Sequence, residues 1–281
     1  MKYLSRLSLF ISIAYLLIFL SCSKETIMDY NNLAELPADT GGIHQAFPYE
    51  STLATYGYYI YTPSAYENVI DASYPLMVFL HGSGEKGNSS TDTSILDKVL
   101  RNGPPKLIEK KKWKPSYPMI VASPQCHDGG WNAKKLHEFI EYLVNNYRIN
   151  TKRIYITGLS MGGGGTFNYV ANMDSLSYAA AIVPICGWGN PPKASAFLNT
   201  PTWAFHGEDD TKVKPSGSIN MINAINELNP PVKAKLTLYP KVGHNSWSKT
   251  YDDSGMGTEN PDFDPFNQSI YDWLFQFEKI N

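Results

Sequence analysis

A chain of 281 residues, 43% hydrophobic and 18% charged, is long enough to bury a large core and too apolar to stay disordered. Its 24 basic and 26 acidic residues leave a formal charge of −2, which excludes the broad basic surface of a nucleic-acid binder. No internal repeat or second domain interrupts it.

The amino end is distinct from the rest. Lys2 and Arg6 precede an apolar run from Leu9 to Leu20, broken by Ser12 and followed by Ser21 and Cys22. A charged start, a short apolar stretch and a small residue at its end form a secretory signal, too short for a spanning helix. Phe19-Leu20-Ser21-Cys22 resembles the bacterial lipoprotein signal, although Phe19 is unusual at its place. That resemblance implies a signal over residues 1–21, lipidation of Cys22, and an exported protein held at a membrane by that lipid alone, periplasmic or on the cell surface. Residues 22–45 are polar and turn-rich and read as a tether, which leaves 46–281 as the folded domain.

Tyr56 to Tyr61 suggests the opening strand. Pro75 to Leu80 is an almost continuous apolar run ending in His81-Gly82, the pattern of a central strand covered on both faces. Similar runs follow at Met119 to Ala122, Arg153 to Thr157, Ala180 to Pro184, Thr202 to Phe205 and Ala234 to Tyr239. Helical patterns at Ala133 to Tyr147 and Ser216 to Leu228 separate them, so a parallel sheet with helices on both faces is expected. Asp252 to Phe266 reads as a long loop. A last helix, about Asn267 to Phe277, places Ile270, Trp273, Leu274 and Phe277 at helical spacing for the core. Cys126 and Cys186 fit small buried residues better than a disulfide framework.

Gly158-Leu159-Ser160-Met161-Gly162 stands between a β-branched strand and a helical segment that begins with further glycines. A serine carried on a sharp strand-to-helix turn needs neighbours without side chains, and the turn brings its hydroxyl to a helix amino end. A hydroxyl attacks only when a base removes its proton and an acid fixes that base. His244, after the last strand run, is the candidate base, and Glu208, Asp209 and Asp210 in the preceding post-strand loop are candidate acids; His206 props that loop. Two backbone donors must stabilise the oxyanion: Met161 N–H, and Ser83 N–H in His81-Gly82-Ser83-Gly84, with Gly82 as the near alternative.

These segments, together with Gly103-Pro104-Pro105-Lys106, Ser123-Pro124-Gln125-Cys126, Val183-Pro184-Ile185-Cys186-Gly187 and Gly243-His244-Asn245-Ser246-Trp247, resemble the predicted-peptidase and esterase group of the α/β-hydrolase superfamily. That group is related to feruloyl esterases, polyhydroxybutyrate depolymerases and dienelactone hydrolases. The resemblance covers roughly residues 55 to 280 and implies a mostly parallel sheet with no large cap. Its His-Gly-x-x-Asp-x-x-Val pattern selects Asp210 as the acid, giving the triad Ser160, Asp210 and His244. It implies no metal and no organic cofactor. Departures are Trp188, Gly164, Gly165 and the long loop after His244, all bearing on pocket shape. Trp131, Trp188 and Trp247 lie near the inferred site elements and are candidates for stacking on a sugar or hydroxycinnamoyl ring. The expected substrate is a small ester or an esterified oligosaccharide, with acetyl or feruloyl groups first. A serine peptidase using the same residues and a non-catalytic surface binding protein are the alternatives.

Overall fold

A computed structural model describes residues 32–279 of the chain. The expected signal over 1–21 and the lipidation site Cys22 lie outside the described residues. Eight strands form one sheet: β1 Ile43–Phe47, β2 Gly57–Thr62, β3 Tyr74–Leu80, β4 Ile120–Gln125, β5 Ile149–Leu159, β6 Ala179–Ile185, β7 Trp203–Gly207 and β8 Lys235–Tyr239. Their order is β1-β2-β4-β3-β5-β6-β7-β8. β2 pairs antiparallel with both β1 and β4, and every other pairing is parallel.

β3 lies between β4 and β5 and is buried along its whole length, which is why its sequence is an unbroken apolar run. Helices cover the sheet: α1 Gly103–Glu109, α2 Ala133–Asn146, α3 Met161–Met173, α4 Ser216–Glu227, α5 Trp247–Tyr251 and α6 Ile270–Leu274. In α2, Leu136, Phe139, Ile140 and Leu143 are buried at helical spacing, and the Asn132 side chain caps the first turn by accepting from Lys135 N–H. The closing helix is shorter than its sequence pattern, yet Ile270, Trp273 and Leu274 are buried as expected.

Two expectations need correction. The first strand is not Tyr56 to Tyr61 but Ile43–Phe47, which pairs with it as an edge. The stretch read as a tether over 22–45 is therefore shorter: Leu33 and Leu36 are buried in the core, and the Asp39 carboxylate accepts from the Tyr61 hydroxyl at 2.6 Å. An edge strand with one face in solvent carries His44 and Gln45, so it lacks an apolar signature. Cys126 and Cys186 are both free and buried.

The opposite edge, β8, is closed by the 252–266 loop. Asp264 donates its N–H to Leu236 O at 2.9 Å and accepts Leu236 N–H on its carboxylate at 2.8 Å, while Asn260 N–H reaches Leu238 O at 2.7 Å. The loop thus occupies hydrogen-bonding positions that would otherwise invite another strand. Replacing Asp264 by Ala leaves the Leu236 N–H without that acceptor and is expected to lower unfolding free energy by about 1–2 kcal/mol in urea titrations.

Candidate active site

The parallel register sets strand ends side by side: Leu80 faces Gly158, Leu159 faces Ile185, Ile185 faces Phe205, and Gly207 faces Tyr239. Ser160, Asp210 and His244 all leave the sheet just beyond these carboxyl ends, where open α/β sheets present their sites.

Ser160 links β5 to α3 with φ 53° and ψ −116°, a positive-φ geometry that non-glycine residues adopt rarely. Its N–H donates to Ile185 O at 3.0 Å, and its carbonyl accepts from Gly164 N–H at 2.9 Å, so the strained turn is held from both sides. A Cβ on Gly162 would overlap the Leu80 carbonyl, and one on Gly158 would stand 2.5 Å from Gly162 O. Only bare backbone allows α3 to start this close to the sheet.

The Ser160 hydroxyl lies 2.9 Å from His244 Nε2, and His244 Nδ1 lies 2.7 Å from Asp210 Oδ2. Asp210 is buried while Ser160 and His244 reach partial exposure, so the line of groups runs from the interior to a solvent-open mouth. Burial alone would raise the Asp210 carboxyl. The hydrogen bond from His244 and those from Val213 and Lys212 N–H, at 3.0 and 2.8 Å, outweigh it and hold the group below the usual carboxylate range. Of Glu208, Asp209 and Asp210, the structure brings only Asp210 to the histidine; Glu208 instead accepts from Asn260 Nδ2 at 2.5 Å. His206 does support the acid loop. Its Nε2 lies 2.9 Å from Val213 O and 3.2 Å from Asp210 Oδ2, and its Nδ1 lies 2.8 Å from Ser218 Oγ.

Met161 is the first residue of α3, whose opening N–H groups lack intrahelical acceptors. Gly82 presses on the other side of the nucleophile: a Cβ there would stand 3.6 Å from Ser160 Cβ. Ser83 opens a short 3-10 turn, Ser83–Glu85, immediately after it. His81, fully buried, fixes this loop. Its Nδ1 donates to Gly82 O at 2.6 Å and its Nε2 accepts from Cys126 N–H at 2.9 Å, which defines a neutral tautomer. Because carbonyl and N–H of a trans peptide point oppositely, anchoring Gly82 O also orients Ser83 N–H.

The three tryptophans do not share one place. Trp131 is buried, and its indole N–H donates to His81 O at 3.1 Å. Trp188 is about half exposed, at 48%. Together they line a groove of about 280 Å³ that also includes Met161, Asn168 and Lys193. The run Gly162 to Gly165 makes this possible, since a Cβ on Gly164 would stand 2.9 Å from the Trp188 ring and one on Gly165 2.7 Å from Trp131. Trp247 lies elsewhere, edge-on to His244 at 5.4 Å, with its N–H donating to Asn102 Oδ1 at 3.1 Å. Asn102 in turn donates to Glu85 Oε1 at 2.5 Å, and Gln125 Nε2 donates to Glu85 O at 3.0 Å.

Sequence reasoning passed over Asn102, Glu85 and the support role of Cys186. The Cys186 Sγ accepts Ser160 N–H at 3.3 Å, and burial raises its thiol to about 12, so it is an inert packing group behind the nucleophile. Cys186 adopts φ 40° in the sharp turn after β6. Cys186, Asp210 and His244 are the described residues whose ligand-type atoms cluster within 4.8 Å, and those atoms are engaged with each other and with Ser160.

The sheet with a strained serine, histidine and buried aspartate after successive strands defines the α/β-hydrolase class. Within it, the chain belongs to the Dienelactone hydrolase family, whose profile matches residues 38–259. A curated relative, "Probable acetylxylan esterase A" of Aspergillus clavatus, is 24% identical over 180 residues, covering 60% of this chain and 53% of its own. A crystallised thermostable esterase is 28% identical with a TM-score of 0.60, covering 84% of this chain and 63% of the other. A mutant of the feruloyl esterase module from Clostridium thermocellum, complexed with sinapinate, shares the fold at 17% identity and a TM-score of 0.54, over 77% of this chain and 87% of that one. The chain thus spans about half the length of the curated relative it matches.

His81 also carries a pH signature. Burial lowers it from 6.5 to about 4, with the Gly82 hydrogen bond opposing and Lys86 adding slightly. An unfolded chain takes up this proton below about 6.5 and the folded one does not, so stability falls as pH drops from 6.5 towards 4. We expect a loss of the order of 3 kcal/mol from this residue, and a flatter pH dependence of urea unfolding in His81→Gln.

Proposed function

We propose that this protein is a serine hydrolase of carboxylic esters, removing acetyl or feruloyl groups from carbohydrate. The observation that carries the reading is the continuous hydrogen-bonded line from Ser160 Oγ through His244 to Asp210.

In this reaction His244 Nε2 takes the Ser160 proton as Oγ attacks the ester carbonyl. Asp210, already ionised and hydrogen-bonded to Nδ1, stabilises the imidazolium that forms. The tetrahedral oxyanion is held by N–H groups of Met161 and the Gly82–Ser83 turn, each worth about 3 kcal/mol in the transition state. His244 then returns its proton to the leaving alkoxide, which departs as the alcohol and leaves an acyl-serine. Water, activated by the same histidine, repeats the sequence and releases the acid.

The choice of carbohydrate esters draws on the Trp131–Trp188 groove and on the acetylxylan and feruloyl esterase relatives. An aromatic face with amide side chains at its rim suits a flat ring that also needs hydrogen bonds. The expected lipid at Cys22 would hold such an enzyme outside the cytoplasm, beside its polymeric substrate. Labelling cells with a palmitate analogue is expected to mark the wild type and not Cys22→Ala.

Purified protein is expected to hydrolyse 4-nitrophenyl acetate faster than the octanoate. Ser160→Ala should lower kcat by at least about 10⁴-fold with Tm unchanged, and Asp210→Asn by about 10⁴-fold. Trp188→Ala should cost methyl ferulate or acetylated xylan about tenfold in kcat/KM while sparing 4-nitrophenyl acetate. Comparable rates on aminoacyl anilides would instead establish a peptidase.

A further inference from the structure

A second groove begins at Asn102 and Ser248, beyond Trp247. Trp247, edge-on to the histidine, is tied through Asn102 to the start of α1, and Asn102 with Ser248 forms the near end of a groove of about 600 Å³. Its wall is formed by Lys106, Leu107 and the run Lys110-Lys111-Lys112-Trp113-Lys114. All five of these lysines are exposed and line the groove, and among the described residues none of their ammonium groups has an ion-pair partner within 4.0 Å. In a chain of formal charge −2 this is a concentrated exception.

The acids nearby offset only part of it. Glu109 lies 3.9 Å from His44, and with Asp39 it lines a neighbouring cavity that Lys111 and Lys114 share. Asp252 and Asp253 line the lysine groove itself: Asp252 accepts from the neutral Ser254 hydroxyl at 2.6 Å, and burial pushes Asp253 up to about 6, which leaves it mostly ionised at neutral pH. Five lysines against two carboxylates keep the wall positive, and a positive wall attracts an anion. Trp113, half-buried between the lysines and edge-on to Tyr271 at 4.9 Å, supplies an aromatic surface, and its indole N–H is buried with no acceptor.

We propose that this groove binds a uronate-bearing oligosaccharide, the negatively charged continuation of the glycan on the alcohol side of the ester. The assignment rests on the esterase reading for its orientation. His244 protonates the departing alcohol, and the groove begins two side chains beyond it. A chain of sugar rings entering there meets first Asn102, then Trp113 and the lysines, which offer hydrogen bonds, an apolar face and positive charge to hydroxyls, rings and carboxylates. A concave wall that combines an aromatic face with an unpartnered indole N–H and lysines suits a sugar chain better than a flat lipid surface.

The test is calorimetric binding of oligogalacturonate and of a neutral xylo-oligosaccharide to the full chain and to Lys110→Glu/Lys112→Glu. We expect binding of the acidic oligomer to fall about tenfold in the variant and similarly on raising salt from low to about 0.5 M, with the neutral oligomer unaffected. Unchanged Tm and unchanged hydrolysis of 4-nitrophenyl acetate would show that the variant folds and keeps its catalytic line. Equal binding of acidic and neutral oligomers, or acidic binding indifferent to the two substitutions, overturns the proposal. So does lysine-dependent retention on phosphatidylglycerol vesicles with no preference for the acidic oligomer, which would make the surface a lipid contact. Acidic binding in a protein inert towards 4-nitrophenyl acetate would sink the esterase reading and leave this groove's ligand standing.

Discussion

The first turn of α3 meets the ends of β3 and β6 at a separation that admits no side chain. Gly162 lies on the Leu80 carbonyl, and a Cβ on Gly163 would overlap the carbonyl of Ile185. Because the helix cannot be moved out, Ser160 must make its turn within a few ångströms, which forces the positive φ and lifts its hydroxyl above the sheet. The same closeness aligns Met161 N–H with the strand-end loops. Two further glycines extend the bare helix face, so that Trp131 and Trp188 can lie on it. Four glycines in a helix cost about 1 kcal/mol each relative to alanine, and packing of the buried Trp131 ring and one face of Trp188 against Gly165 and Gly164 offsets part of that.

Electrostatics around the triad follow from what is buried and how it is partnered. Asp210 is out of solvent but receives two backbone N–H groups and the histidine, so its charge is retained where the mechanism needs it. His81 and His206 are equally buried, burial lowers both, and each holds a backbone oxygen. Three histidines at the ends of three parallel strands thus divide into one that meets the serine hydroxyl and two struts. What separates them is exposure: His244 reaches the mouth and the others do not.

Much of this was legible in the residues because parallel strands buried on both faces leave unmistakable apolar runs, and because each run ends where a loop must carry chemistry. β3, β5, β7 and β8 were found in that way, together with the glycine-flanked serine. Choice of Asp210 over its two acidic neighbours was not open to spacing; family resemblance selected it, and the geometry agrees, since only its carboxylate reaches His244. β1 escaped because an edge strand with His44 and Gln45 has half its surface in water and no periodic apolar signal. Asn102 and Glu85 escaped for a different reason. Their contact joins residues 17 positions apart through two irregular loops, and no local pattern encodes such a meeting.

The site is asymmetric about its catalytic line, and that asymmetry bears on how it could discriminate. On the Met161 side lies a narrow groove of aromatic faces over bare helix; on the Trp247 side lies a larger one edged with unpaired lysines. Contacts to the acyl half of an ester persist through an acyl-enzyme, whereas contacts to the alcohol half are lost when the first product leaves. A charged groove that met the alcohol half would therefore raise capture of a polymeric ester without slowing deacylation.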